Sequence, residues 1–343
     1  MGGQMGGLEE LTEVDDGLGL PVVIDDWNTG AELVQIVQAE LAAAAGYAEA
    51  ARAASTRRAY AQDWRVFVAW CAARALEPMP ADPRAVAVFL ASEAARGCAP
   101  MTIGRRLAAI GHAHRQHGLQ PPQGRQGAAA IVEVMAGIRR SHGKPPARKS
   151  AADADVMRDI LRAIVGDDIR SVRDRAVLAF GMAGAFRRSE LVALQVNQIT
   201  REARGLRVQF GRTKTDQDGS GQVIAIPDGR RIRPVQLLEA WLAQAGISEG
   251  LVFRKLKGGA ATDRPMSDRA VARVVQARAA AAGYDPGLFA GHSLRAGFIT
   301  SGARAGASIF KLKEVSRHKS TDVLAGYVRD AQIFEGHAGE GFL

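Results

Sequence analysis

Six side chains along this sequence can handle a phosphate or a proton. They occur in the order Arg187, Lys214, His292, Arg295, His318 and Tyr327. An imidazole moves protons near neutral pH. A guanidinium binds a phosphate through two parallel hydrogen bonds. In GHSLRAGF, His292 and Arg295 are three residues apart and share a helix face. In GAFRRSELVAL, Arg187 precedes Glu190 by three, the spacing of an ordinary helical ion pair. Each residue alone has a plain reading. Lys214 in GRTKTDQ can be a solvated turn lysine, His318 in SRHKSTDV a structural histidine, and Tyr327 in AGYVRD a packing tyrosine. The order and company of all six ask for more.

The surrounding elements are mainly helical with a small β-sheet. Residues 1–30 start Gly-rich, show no periodicity and read as a flexible acidic tail. An Ala-rich helix is expected next, and Ser55 or Thr56 can cap the one after it. Tyr60, Trp64, Phe67, Val68 and Cys71 then form one apolar stripe. Asp82-Pro83 is a helix start. Another start is expected at Thr102, with Ile103, Leu107 and Ile110 inward and Arg105 and Arg106 off the stripe. His112, His114 and His117 read as helix surface rather than metal ligands, since no carboxylate or cysteine completes a site. A helix with Ile131, Met135 and Ile138 closes an all-α domain over 31–140. Residues 141–152, SHGKPPARKSAA, read as a linker, and 153–343 as a mixed α+β domain. There, helices are expected around 154–165, 171–185 and 188–196. LRVQF at 206–210 and QVIAI at 222–226 are expected to pair as strands, and the chain from Pro234 on is expected to be mainly helical.

Composition narrows the function. The chain has 343 residues, 47% of them hydrophobic, and two cysteines, which excludes a disulfide scaffold. It has no run of 18 apolar residues and no secretory start, so a cytoplasmic protein with no membrane partner is expected. The net charge is +9, yet residues 1–30 hold seven acids and no Lys or Arg, which leaves +16 on the remainder. A body that basic points to a polyanion, most simply nucleic acid.

The ordered set, R-x-x-E-L at Arg187, a hairpin lysine at 214, H-x-x-R at His292, His318 and then Tyr327, resembles the signature of the tyrosine recombinases of the phage integrase family. GRTKT, GHS-x-R and the His318-to-Tyr327 spacing are similar to the Cre type, as are TRRAYAQDWRVFVAWC and TIGRRLAAIGHAHRQHG in the first domain. Position 318 departs from the Cre type, which has Trp there. The resemblance covers about residues 31–335 and implies an all-α core-binding domain followed by an α+β catalytic domain.

The resemblance implies site-specific DNA cutting and rejoining through a covalent 3′-phosphotyrosine and a Holliday junction, without metal, ATP or cofactor. Tyr327 would be the nucleophile and Arg187 and Arg295 the phosphate clamp. Lys214 would be the acid to the 5′ hydroxyl, His292 the acceptor of the tyrosine proton and His318 a donor to the phosphate. Glu190 would orient Arg187. The partner would be double-stranded DNA with an inverted-repeat site, bound finally by a homotetramer. Ile333 and Phe334 would anchor a short C-terminal helix in a neighbouring subunit. DNA contacts would come from Thr56, Arg57, Arg58, Thr102, Arg105, Arg106 and Arg269. Two other readings are open: a nicking–closing enzyme of the type IB topoisomerase kind, which the same six residues would serve, and a DNA-bridging protein without catalysis, against which the intact set argues.

Overall fold

The computed structural model describes residues 40, 42–43, 46–47, 51–143, 149–210, 221–331, 333 and 339. The chain divides into two compact units, Met1–Pro146 and Ala147–Leu343. The Ala-rich helix expected after the tail falls mostly outside the described residues.

In the first unit, helices α1 (Ala54–Ala72), α2 (Pro83–Ala95), α3 (Pro100–Gln116) and α4 (Ala129–His142) enclose one core. The α1 stripe buries Trp64, Phe67, Trp70 and Cys71 against Phe89 and Leu90 of α2, Ile103 and Ile110 of α3, and Met135 of α4. Phe67 meets Phe89 edge-on, with ring centroids 5.1 Å apart. Asp82 caps α2 by accepting the Arg84 amide at 2.6 Å, with Pro83 in the first position.

Helix α1 starts earlier than expected. Ala53 is its cap, so Ser55 and Thr56 lie inside the first turn. Helix α3 likewise starts at Pro100, because a proline's missing N–H costs nothing in a first turn.

The expectation of surface histidines is corrected at two positions: His112 and His114 are buried. His114 lies four residues after Ile110 and continues the apolar stripe of α3. Its Nδ1–H donates to the Ile110 carbonyl at 2.8 Å, and its Nε2 accepts the Ala81 amide at 2.9 Å. Both nitrogens are thus used by a neutral ring. Burial pulls both imidazoles below their ordinary range, His112 to about 4 with further help from Arg52 and Arg115. The unfolded chain takes up these protons below pH ~6.5, and the folded one does so only lower. Stability from this source is complete above pH ~6.5 and is lost as pH falls towards about 4. Thermal melts of the full chain at pH 7.5, 6 and 5 should therefore show a Tm falling by several degrees, on the order of 4–8 °C per kcal/mol for a domain of this size. A midpoint flat over that range would contradict this.

The second unit is built around α6 (Ile169–Ala183), preceded by α5 (Ala154–Arg162) and followed by the short α7 (Arg188–Ala193). Asp168 caps α6 by accepting the Arg170 and Ser171 amides. Strands β1 (Ile199–Glu202), β2 (Gly205–Phe210) and β3 (Gln222–Pro227) form an antiparallel meander. Leu206, Val208 and Phe210 alternate inward and face Ile224 and Ile226. Gly205 is required in β2, since a Cβ there would stand 2.2 Å from the Ile226 carbonyl oxygen. Helix α8 (Pro234–Gln244) packs on α6 with Trp241 fully buried, its Nε1 donating to the Val252 carbonyl at 2.8 Å. After the hairpin β4 (Arg254–Lys257) and β5 (Ala260–Pro265) come α9 (Asp268–Ala281), α10 (Ser293–Arg304), α11 (Ile309–Ser316) and α12 (Thr321–Ala331).

Strand β1 and the β4–β5 hairpin go beyond the sequence reading. In β1 only Ile199 is partly sheltered, so no apolar alternation marks it. The hairpin is announced only by Gly258-Gly259, both left-handed, which suit a two-residue turn. Part of the expected linker also packs onto the second unit. Ser150 and Ala152 donate their amides to the Leu288 and Ser293 carbonyls. The chain passes so close to α10 that a Cβ on Gly297 would lie 1.9 Å from the Ala152 carbonyl oxygen.

Candidate active site

Four stretches of the second unit converge: the α6–α7 turn with the start of α7, the first turn of α10, the end of α11, and α12. Arg187 caps α7, and its own amide donates to Glu190 Oε2 at 2.8 Å. Its Nη1 donates to Glu190 Oε1 at 2.5 Å and its Nη2 to the Arg317 carbonyl at 3.1 Å. The i, i+3 pair seen in the sequence is therefore one helix-start unit.

Arg295 lies in the first turn of α10 and is 1% exposed. Its Nη1 donates to the Ala185 carbonyl at 2.8 Å, and its Nη2 faces His318 Nδ1 at 3.2 Å. An arginine only donates, so that Nδ1 is the unprotonated acceptor. Ser316 Oγ approaches the same nitrogen at 2.8 Å and donates to it as well. The proton of the neutral ring therefore sits on Nε2, which is left as a donor. Burial, then Arg295, Arg187, His292 and Arg317, pull His318 down to about 4, so the ring is neutral at physiological pH. His292 is the N-cap of α10. Solvent reaches it, yet its imidazole is lowered, first by the protein packed around the ring and then by Arg295, Arg188 and Arg187.

The site is a concentration of positive charge. Burial, Arg187 and Arg317 all work against the Arg295 cation, while Glu190 and Tyr327 favour it. Burial raises the Glu190 carboxyl, but Arg317, the Arg187 amide and both guanidinium bonds outweigh it, and the net shift is downward. Glu190 thus stays ionised and answers one of three clustered guanidiniums.

Tyr327 is half-buried on α12, against a cluster of Ile299, Ala303, Leu312 and Leu324. It lies within electrostatic reach of Arg295. Lys214 belongs to the β2–β3 connection and lies outside the described residues, as does Phe334; Ile333 is exposed.

Arg317 escaped the sequence reading. Only its burial and partners reveal it, and no spacing rule marks a residue next to a candidate histidine.

The candidate DNA contacts fall into two groups. Arg269 is exposed in the first turn of α9, one turn before exposed Arg273, and Arg58 is exposed at the start of α1. Thr56, Arg57 and Thr102 are half-buried. Arg105 and Arg106 differ from a simple polar face, because buried carboxylates claim both. Arg105 donates to both oxygens of Asp63, at 2.7 and 3.1 Å, with half its side chain in solvent. Arg106 turns inward, 15% exposed, and pairs with Glu93 beside Asp63. Buried Asp63 and Glu93 need counter-charges, and these are the nearest ones.

The phage integrase family model matches residues 151–332. An integrase/recombinase xerD homolog of Selenomonas ruminantium is 32% identical over 84% of this chain and 86% of its own length. The chain belongs to the phage integrase family of tyrosine site-specific recombinases. Recombinase cre of Escherichia phage P1 is 27% identical over 78% of this recombinase and 81% of its own length, so the likeness is not particular to the Cre type. The fold is similar to that of XerH site-specific recombinase bound to palindromic difH substrate, with TM-score 0.56, 15% identity, and 76% and 72% of the two chains covered. The recombinase is accordingly mainly α-helical with a small sheet, and none of its described helices is long and apolar enough to cross a membrane.

Proposed function

We propose that this recombinase cuts and rejoins double-stranded DNA at an inverted-repeat site through a 3′-phosphotyrosine. The supporting observation is the buried Arg295, bonded to His318 and clustered with Arg187 around too little negative charge. A phosphodiester supplies the missing charge, and more of it in the transition state, where the non-bridging oxygens gather charge. Arg187 and Arg295 bind those oxygens, and His318 Nε2–H donates a further bond. Tyr327 Oη attacks phosphorus and gives up its proton to neutral His292. The bond from phosphorus to the 5′ oxygen breaks, and that oxygen takes a proton from Lys214. The phosphotyrosine conserves the bond energy, so religation by a 5′ hydroxyl needs neither ATP nor metal.

The first unit binds DNA and the second performs the chemistry. Two protomers occupy the arms of a site, and two sites pair as a tetramer that resolves a Holliday junction, as the resemblance to the Cre type implies. The protein works in the cytoplasm on nucleoid DNA.

The test is covalent capture. The protein is mixed with fragments of its host's genome and denatured, and protein-linked DNA is sequenced. Enrichment of one inverted repeat supports the reading. Specific binding with no adduct supports the DNA-bridging alternative, and relaxation of plasmids without synapsis the nicking–closing one.

His318 also gives an expected outcome. Indole N–H is a donor only, so His318→Trp keeps the donor and should hold the adduct rate within ~10-fold, whereas His318→Phe should lose ~10²-fold. Equal rates for both variants would remove His318 from the phosphate.

A further inference from the structure

Arg317 ends α11 in the left-handed region, at φ 57° and ψ 40°, a conformation that favours glycine. Its side chain is 1% exposed. Nη1 donates to the Gly184 and Val315 carbonyls, and Nη2 to Glu190 Oε2 at 2.8 Å. The guanidinium carbon stands 4.4 Å from the Phe210 ring centroid and 5.5 Å from that of Phe186. Its main-chain carbonyl accepts the Arg187 guanidinium, and His318 follows it in sequence. One residue thus ties together the α6–α7 turn, the start of α7, strand β2 and the loop that presents His318.

Neither cost taken at this position is needed to stop a helix. A glycine would adopt the backbone freely, and an apolar side chain would fill the space without burying a cation. Strain and a buried charge at one residue call for a task that needs the charge. Glu190 supplies that task. Its two oxygens take the Arg187 guanidinium, the Arg187 amide and the Arg317 guanidinium. Without Arg317, the carboxylate would keep Arg187 as its one hydrogen-bonded cation among the described residues and would cancel much of the charge that Arg187 offers to phosphate.

We propose that Arg317 is a positioning residue: its buried guanidinium holds and neutralises Glu190, so that Arg187 stays aimed with its charge available for the scissile phosphate. The inference deepens the phosphoryl-transfer reading and rests on it. With Glu190 answered by Arg317, Arg187 and Arg295 keep two positive charges for an anion whose charge grows during reaction.

The experiment has two arms. The first needs no DNA. With carboxyl-labelled glutamate, and Glu190→Gln to assign the resonance, Glu190 is titrated by NMR in wild type and in Arg317→Gly. The charged groups around it are Arg187 from α7, Arg295 from α10 and Arg317 from the end of α11. Removing Arg317 should move the Glu190 midpoint upward; an unchanged midpoint overturns the proposal. The second arm measures single-turnover adduct formation and DNA affinity on the duplex recovered by covalent capture. Arg317→Gly should fall ~10–100-fold in rate with its Kd within ~3-fold, because misplacement by about an ångström is enough for such a loss. Arg317→Lys, which keeps the charge, should recover most of the rate and serves if the glycine variant does not fold. Wild-type rates in Arg317→Gly, or rates and affinity falling together in both variants, would overturn the positioning role alone. A wild type that forms no adduct on any captured DNA overturns the phosphoryl-transfer reading and this role with it.

Discussion

Tyr327→Phe should bind DNA as tightly as the wild type and form no covalent adduct. The substitution removes one oxygen and keeps the ring, which packs against Ile299 and Ala303 of α10 and Leu312 of α11. Folding should be nearly unaffected, since a single hydroxyl is worth about 1 kcal/mol. In the proposed reaction the chemistry depends on that oxygen entirely, because it would become the ester oxygen of the intermediate. The adduct rate should drop by at least ~10⁴-fold, to background. Gel mobility under native conditions and label retained after denaturation measure the two properties separately. An adduct persisting in Tyr327→Phe would assign the nucleophile elsewhere. Loss of binding together with the adduct would make the hydroxyl structural.

Arg295→Met should separate stability from activity in opposite directions. The arginine is fully buried, and its cation is opposed by burial and by two neighbouring guanidiniums. A methionine of similar length removes that cost, although the Ala185 carbonyl loses the nearer of its two arginine donors. The Tm should hold or rise. The adduct rate should fall by ~10³-fold, about 4 kcal/mol of barrier, since the proposed anchor of the phosphate is gone and His318 keeps only Ser316 of the two donors that hold its ring. Such a trade-off marks a charge kept for function rather than for folding. A Tm lowered by many degrees, with the remaining folded fraction still active, would reverse the assignment.

Much of this protein was legible from local rules. The α1 stripe, the cap at Asp82, the Arg187–Glu190 ion pair and the alternation in β2 and β3 each depend on residues a few positions apart, where geometry follows from the helical or strand period. The order of the candidate residues from Arg187 to Tyr327 is likewise a property of the chain itself.

Whatever depended on partners distant in sequence was not legible. Arg105 meets Asp63 across 42 positions, and Arg187 meets the Arg317 carbonyl across 130. The same holds for the neutral His318 ring, set by burial and then by Arg295 of α10, and for buried His114, held by the Ala81 amide. Strand β1 and the β4–β5 hairpin lack apolar alternation because backbone pairing, not side-chain burial, holds most of their length. The sequence by itself determined which groups can do chemistry and which elements carry them. Only the tertiary structure decided which of their charges are already answered and which are not, because the cost of a buried charge is set by whatever the fold brings within a few ångströms of it.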